Sequence, residues 1–158
     1  GLRTLVKTDR AAIVSRVLAA YARRGVFRSY SQGSGEFRFR WLWNLPFHLR
    51  FDEKRGVLSF PKLLSQIPSG SVLDRELRAF LKSCQSPDRL EHRRLDPKRL
   101  AVRYANRRGT VGLTFRVAGT NYEYGVRKAI QLVNEVFLTF LNVNHPNYLV
   151  EHFSIPEE

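Results

Sequence analysis

The sequence contains no methionine and a single cysteine in 158 residues. A lone thiol, Cys84, excludes an internal disulfide framework and fits a reducing, cytoplasmic setting. Without methionine the sequence does not open at a start codon, so Gly1 reads as a scar or a trimmed end. Its apolar runs reach only a few residues, far short of the roughly 20 that cross a bilayer. No charged segment leads into an apolar one at the start, so a soluble protein with no membrane span is expected.

Catalytic signatures are missing as well. His48, His92, His145 and His152 are scattered, and none forms the i, i+4 pair or the HExxH spacing that zinc uses. The "GSG" at 33–35 is no phosphate loop, because no Lys-Ser/Thr follows it and no helix begins there. Cys84 lies on the apolar side of a helical run, where a thiol serves as a small buried hydrophobe rather than a nucleophile. No catalytic, cofactor or metal site is expected, and the chain reads as non-enzymatic.

Acidic residues are the other scarcity: 14 Asp and Glu stand against 27 Lys and Arg, a net charge of +13. Arginine supplies 21 of the 27 cations, and the excess falls along the chain from +8 over 1–50 to +4 over 51–100 and +1 over 101–158. A field of that sign selects phosphates, anionic surfaces or acidic proteins as partners, although an arginine-rich, lysine-poor balance also fits GC-rich coding.

What is present suffices for one core. With 43% hydrophobic and 12% aromatic residues, residues 1–158 read as a single α+β domain, with a flexible lead-in over 1–7 and a short terminal helix and tail over 146–158. Thr8 is placed as an N-cap for a helix over 9–24, in which Ile13, Val14, Val17, Leu18 and Tyr21 recur at helical spacing before Gly25. "VFRSYS", 26–31, is either a short strand or an extended lead-in. The stretch "GEFRFRWLWNLPFHLRF" then alternates, which puts Phe37, Phe39, Trp41 and Trp43 on one face and Arg38, Arg40 and Leu42 on the other. The next run places Phe47, Leu49 and Phe51 opposite His48 and Arg50, and Val57, Leu58 and Phe60 make a third strand.

Ser71 caps a second helix over 71–84, with Leu73, Leu77, Phe80, Leu81 and Cys84 on one side and Arg75, Arg78 and Lys82 on the other. Residues 85–99 read as an exposed connection. Leu100, Val102 and Tyr104 alternate into the turn "NRRG", and Val111, Leu113, Phe115 and Val117 alternate back. A helix over 125–141 carries a wide apolar stripe, and Pro146 opens a short fourth helix. The expected architecture is a five-stranded, mostly antiparallel sheet in the order α-β-β-β-α-β-β-α. Helices 9–24 and 125–141 lie on its aromatic face, helix 71–84 lies at an edge or interface, and the basic face is wet.

This order, and in particular "GLTFRVAGTNYEYGVRKAIQLVNEVFLTFLN" with its strand, polar loop and long final helix, resembles the type III secretion chaperone-like fold, which includes the YbjN-like bacterial domains. The resemblance implies a non-enzymatic homodimer that binds partner polypeptides in extended form, and hence a chaperone-like or adaptor role. Those chaperones tend to be acidic, so neither their client class nor their pathway carries over to this basic chain.

Two binding functions follow from the residues. In the first, a polypeptide client or partner protein contacts Arg38, Arg40, Leu42, Arg50, Arg103 and Arg116 of the outer face and Arg75 and Arg78 of the second helix, and surplus apolar helix surface closes a homodimer. In the second, Arg38, Arg40, Arg50, Arg103 and Arg116 bind nucleic acid without sequence preference, with His48, Arg28, Arg107 and Arg108 as neighbours. Parity keeps the aromatic rings off that face, which favours a core role for them over base stacking. A membrane-surface role for the amphipathic first helix ranks last, because a folded domain uses that apolar side to cover its sheet.

Overall fold

The computed structural model describes residues 2–155, with side chains from Arg10 onward. Helix α1, Leu2–Arg23, leads into strands β1 (Arg28–Gln32), β2 (Glu36–Trp41), β3 (Leu45–Asp52) and β4 (Val57–Leu64). Helix α2, Val72–Ser83, precedes the hairpin of β5 (Leu100–Arg107) and β6 (Thr110–Val117). Helix α3, Tyr122–Glu135, continues as a π-helical segment, Val136–Asn144, and α4, Pro146–Phe153, closes the described chain. All neighbouring strands are antiparallel, and the sheet order is β1-β2-β3-β4-β6-β5.

The sheet thus has six strands, where five are expected. The additional strand is β1, whose side chains are almost all exposed and whose register against β2 slips between Arg28 and Ser31 around Ser29, at φ 51°. Without alternation it carries no period-two signal. Helix α1 begins at Leu2 rather than near residue 9, so Thr8 is not an N-cap and 1–7 holds no separate lead-in among the described residues; no glycine or proline interrupts 2–8.

Period-two alternation decides what is buried. Phe37, Phe39 and Trp41 of β2, Phe47, Leu49 and Phe51 of β3, Leu58 and Phe60 of β4, and Val111, Leu113, Phe115 and Val117 of β6 all face one way and are buried. Helices α1 and α3 cover this face as expected, through Val14, Val17 and Leu18 and through Val126, Ala129, Ile130 and Val133. Trp43 departs from the alternation. It sits with Leu42 and Asn44 in the β2–β3 turn, all three at positive φ (55°, 40° and 60°), and is 39% exposed. The alternation ends one residue earlier than the pattern suggests because the Trp41–Leu45 pair already closes the hairpin.

Helix α2 lies on the same side. Its apolar residues Leu77 and Leu81 are buried, and Phe80 stacks on Phe140 of the π-helical segment at 5.1 Å. The wider turn of that segment also brings Phe137 edge-on to Phe47 at 5.5 Å. The apolar stripes are therefore packed on one another within the chain. The connection 85–99 is exposed along most of its length but pinned at three places. Leu95 is buried, the Tyr124 hydroxyl accepts from the Asp96 amide, and Arg89 pairs with buried Glu135 of α3.

A polar knot fixes α2 to β5. Buried Asp74 accepts from the Tyr104 hydroxyl (2.6 Å), the Asn106 amide (3.1 Å) and the Gly70 backbone N–H (2.9 Å), and Arg78 lies 3.5 Å away. Ser71 caps the helix by accepting from the Asp74 amide. Burial alone raises the Asp74 carboxyl, but the three hydrogen bonds and the Arg78 charge outweigh it and bring the pKa down to about 2 from 3.8.

Two outcomes follow for stability. The Asp74 contribution, about 2 kcal/mol by linkage, is fully present above pH about 4 and is lost as the pH falls through about 2. Acid unfolding followed by circular dichroism is therefore expected to be steeper between pH 4 and 2 for the parent than for Asp74→Asn. Gly112 is the second case: a Cβ there would stand 2.8 Å from the Pro61 carbonyl oxygen, where β4 bulges against β6. Gly112→Ala is expected to lower stability in urea by about 1–3 kcal/mol.

Candidate functional site

The face opposite the helices has no cover among the described residues, and the registers show which side chains share it. Arg40 lies opposite Arg28, Arg38 opposite Ser31 and His48, and Arg50 opposite Glu36 and Ser59. Across the remaining strands Ser59 meets Thr114, Thr114 meets Arg103, and Arg116 meets Val57 and Ala101. The middle of the face is built from small residues, Ser59, Thr114, Gly112 and Ala105, with arginines to either side. The result is a shallow floor flanked by long cationic side chains.

Parity thus brings together Arg38, Arg40, Arg50, Arg103 and Arg116, all exposed. Their electrostatic states differ. Arg50 Nε donates to Glu36 Oε1 at 3.1 Å, and His48 bonds to the other Glu36 oxygen. The bond from His48, then the charges of His48 and Arg50, hold the Glu36 carboxyl below its ordinary value against a smaller opposing effect of burial. Arg40 donates to the Asn44 carbonyl oxygen at 3.0 Å, which staples the turn and leaves its charge uncompensated. Arg38, Arg103 and Arg116 have neither a hydrogen-bond partner nor an ion-pair partner among the described residues.

The other expected contact residues lie elsewhere. Leu42 is in the β2–β3 turn, half-buried against the core, and does not stand on the outer strand face. Arg75 and Arg78 sit on α2 in the helical layer, where Arg75 donates to the Gly70 carbonyl and Arg78 stacks over Tyr104 at 4.4 Å beside Asp74. The fold itself uses both guanidinium groups.

Lys62 is a cation of the outer face that sequence reasoning missed. The third strand was expected to end at Phe60, yet β4 continues to Leu64 through an irregularity between Phe60 and Leu64. Pro61 lacks an amide hydrogen and is tolerated at such a break in the ladder. It was the available signal, read as a strand end. Lys62 lies with Arg38, Arg40 and His48 around an opening of about 270 Å³ between β3 and β4, backed by buried Phe39, Phe47, Phe60 and Leu63.

Chemically, the face offers cations and hydrogen-bond donors, the hydroxyls of Ser59 and Thr114, and one histidine–carboxylate pair, His48 with Glu36. Cys84 is buried, and burial raises its thiol above the ordinary range. Among the described residues no group of three or more His, Cys, Asp or Glu is placed to hold a metal ion.

Because Arg38, Arg103 and Arg116 make no hydrogen bond or ion pair among the described residues, replacing any one of them by Ala is expected to shift the urea midpoint by no more than the equivalent of about 0.5 kcal/mol. Arg89→Ala, which leaves buried Glu135 with the more distant Arg93 at 3.8 Å, is expected to cost about 3 kcal/mol in the same titration. Compared with known proteins, the chain matches no family model, and neither a curated protein nor a solved structure matches it.

Proposed function

We propose that the uncovered sheet face binds the phosphate backbone of single-stranded nucleic acid without sequence preference, and that the chain performs no chemistry of its own. One observation carries this reading: exposed arginines gather on the face that no helix covers, and three of them have no partner among the described residues. Guanidinium forks match phosphate oxygens, and cations two residues apart on a strand, such as Arg38 and Arg40, stand about 7 Å apart along it. A flat floor of Ser59, Gly112 and Thr114 lets a chain lie close without meeting bulky side chains.

A second reading, a chaperone-like adaptor for an extended acidic polypeptide, is supported by the lack of a Phe, Tyr or Trp ring on this face's strand positions among the described residues. Single-strand binders without sequence preference ordinarily stack bases on such rings. Homodimerisation would have to use what the packed helices leave exposed, chiefly Val72, Leu138, Val143 and Val150.

Fluorescence anisotropy with a labelled single-stranded oligonucleotide tests the first reading. If the five outer arginines each neutralise a phosphate, the logarithm of affinity falls with the logarithm of salt at a slope of about −3.5. Arg38→Glu with Arg40→Glu is expected to weaken binding at least about tenfold and to flatten the slope by about 1.4. No measurable binding by the parent at low salt overturns the reading, and tighter binding of a poly-glutamate peptide than of the oligonucleotide moves the assignment to the adaptor.

A further inference from the structure

We infer that the opening between β3 and β4 is a pocket for one nucleobase of the bound strand, an inference that rests on the nucleic-acid reading above and adds a second mode of contact to it. The opening arises from a break in the sheet. β3 stays paired with β2 from Leu45 to Arg50, yet pairs with β4 only through Arg50, Phe51 and Asp52. β4 stays paired with β6 from Val57 to Phe60 and again at Leu64, so beyond Ser59 it parts from β3. Pro61 in that stretch has no amide hydrogen to offer, and Pro46 on the β3 side has none either. Pro46 lines the opening, and Pro61 lies in the adjoining stretch of β4, where the ladder between the two strands has ended.

The walls of this opening fit a planar group attached to an anionic chain. Buried Phe39, Phe47, Phe60 and Leu63 back it, while Arg38, Arg40 and Lys62 stand at its rim with exposed cations. Its volume, about 270 Å³, lies just below the roughly 300 Å³ at which pockets for whole small molecules begin. One ring system enters, and the phosphates on either side stay at the rim beside the cations. Among the described residues no Phe, Tyr or Trp side chain occupies an outer strand position, and this opening brings buried aromatic residues to the face.

The test compares a single-stranded oligonucleotide with an abasic strand of the same length and the same number of phosphates, both titrated against the full chain by anisotropy. A base held in the pocket makes the abasic strand bind about tenfold or more weakly, with the same salt slope. Pro46→Trp fills the opening from an exposed position without changing charge. It is expected to weaken the normal strand to the level of the abasic one and to leave the abasic strand unaffected. Equal binding of the two strands by the parent, with a steep salt slope, overturns the pocket while the backbone-binding reading stands. No binding of either strand overturns both. The comparison on the parent chain needs no variant, so it stands even where Pro46→Trp does not fold.

Discussion

A run of aromatic contacts holds the N-terminal half of the sheet beneath its helices. Tyr21 of α1 stacks on Phe27, Phe27 on Phe39 at 3.9 Å, Phe39 on Phe47, and Phe47 meets Phe137 of the π-helical segment edge-on. Each pair contributes about 0.5–1.5 kcal/mol beyond the area it buries. Together they tie α1, β2, β3 and the segment after α3 into one layer. Because a strand sends successive side chains to opposite faces, the same contacts oblige Arg38, Arg40, His48 and Arg50 to point away from the helices. The basic face is the geometric complement of the core.

That division explains which charges are free. Arginines in the helical layer are recruited by the fold: Arg78 sits over Tyr104 beside Asp74, Arg99 stacks on Tyr124 at 3.6 Å, and Arg89 neutralises buried Glu135. On the outer face only Glu36 and Asp52 among the strand residues can answer the cations, and Glu36 is already committed to His48 and Arg50. The field of the net charge is thereby concentrated where long side chains have room to reorganise around an anion.

Local periodicity made the two-sidedness legible in the sequence, and non-local geometry hid the rest. Phe37, Phe39, Trp41, Phe47, Leu49 and Phe51 announce their face through spacing alone, as do the two strands of the β5–β6 hairpin. Arg103 and Arg116 could be placed with Arg38 and Arg40 for the same reason. Leu42 and Trp43 were misplaced because alternation was carried one step into a turn whose left-handed backbone is fixed by pairing across it. β1 gives no periodic signal because both its faces are wet, and Lys62 lies beyond a proline that reads as a strand end and acts as a bulge. The pairing of Arg89 with Glu135 joins residues 46 apart, a contact that no spacing rule anticipates.

The kink at Ser29 bears on how the molecule behaves in a crowded solution. An open six-stranded sheet presents two rows of unpaired amides, each a template for a strand from another molecule. One border is β1, five residues long and bent where Ser29 takes a left-handed backbone, so a straight incoming strand cannot follow it. The other border, β5, projects Arg103 and Arg107, which repel the same row of an approaching copy. Both borders of the open sheet thus work against strand-to-strand pairing with a second copy.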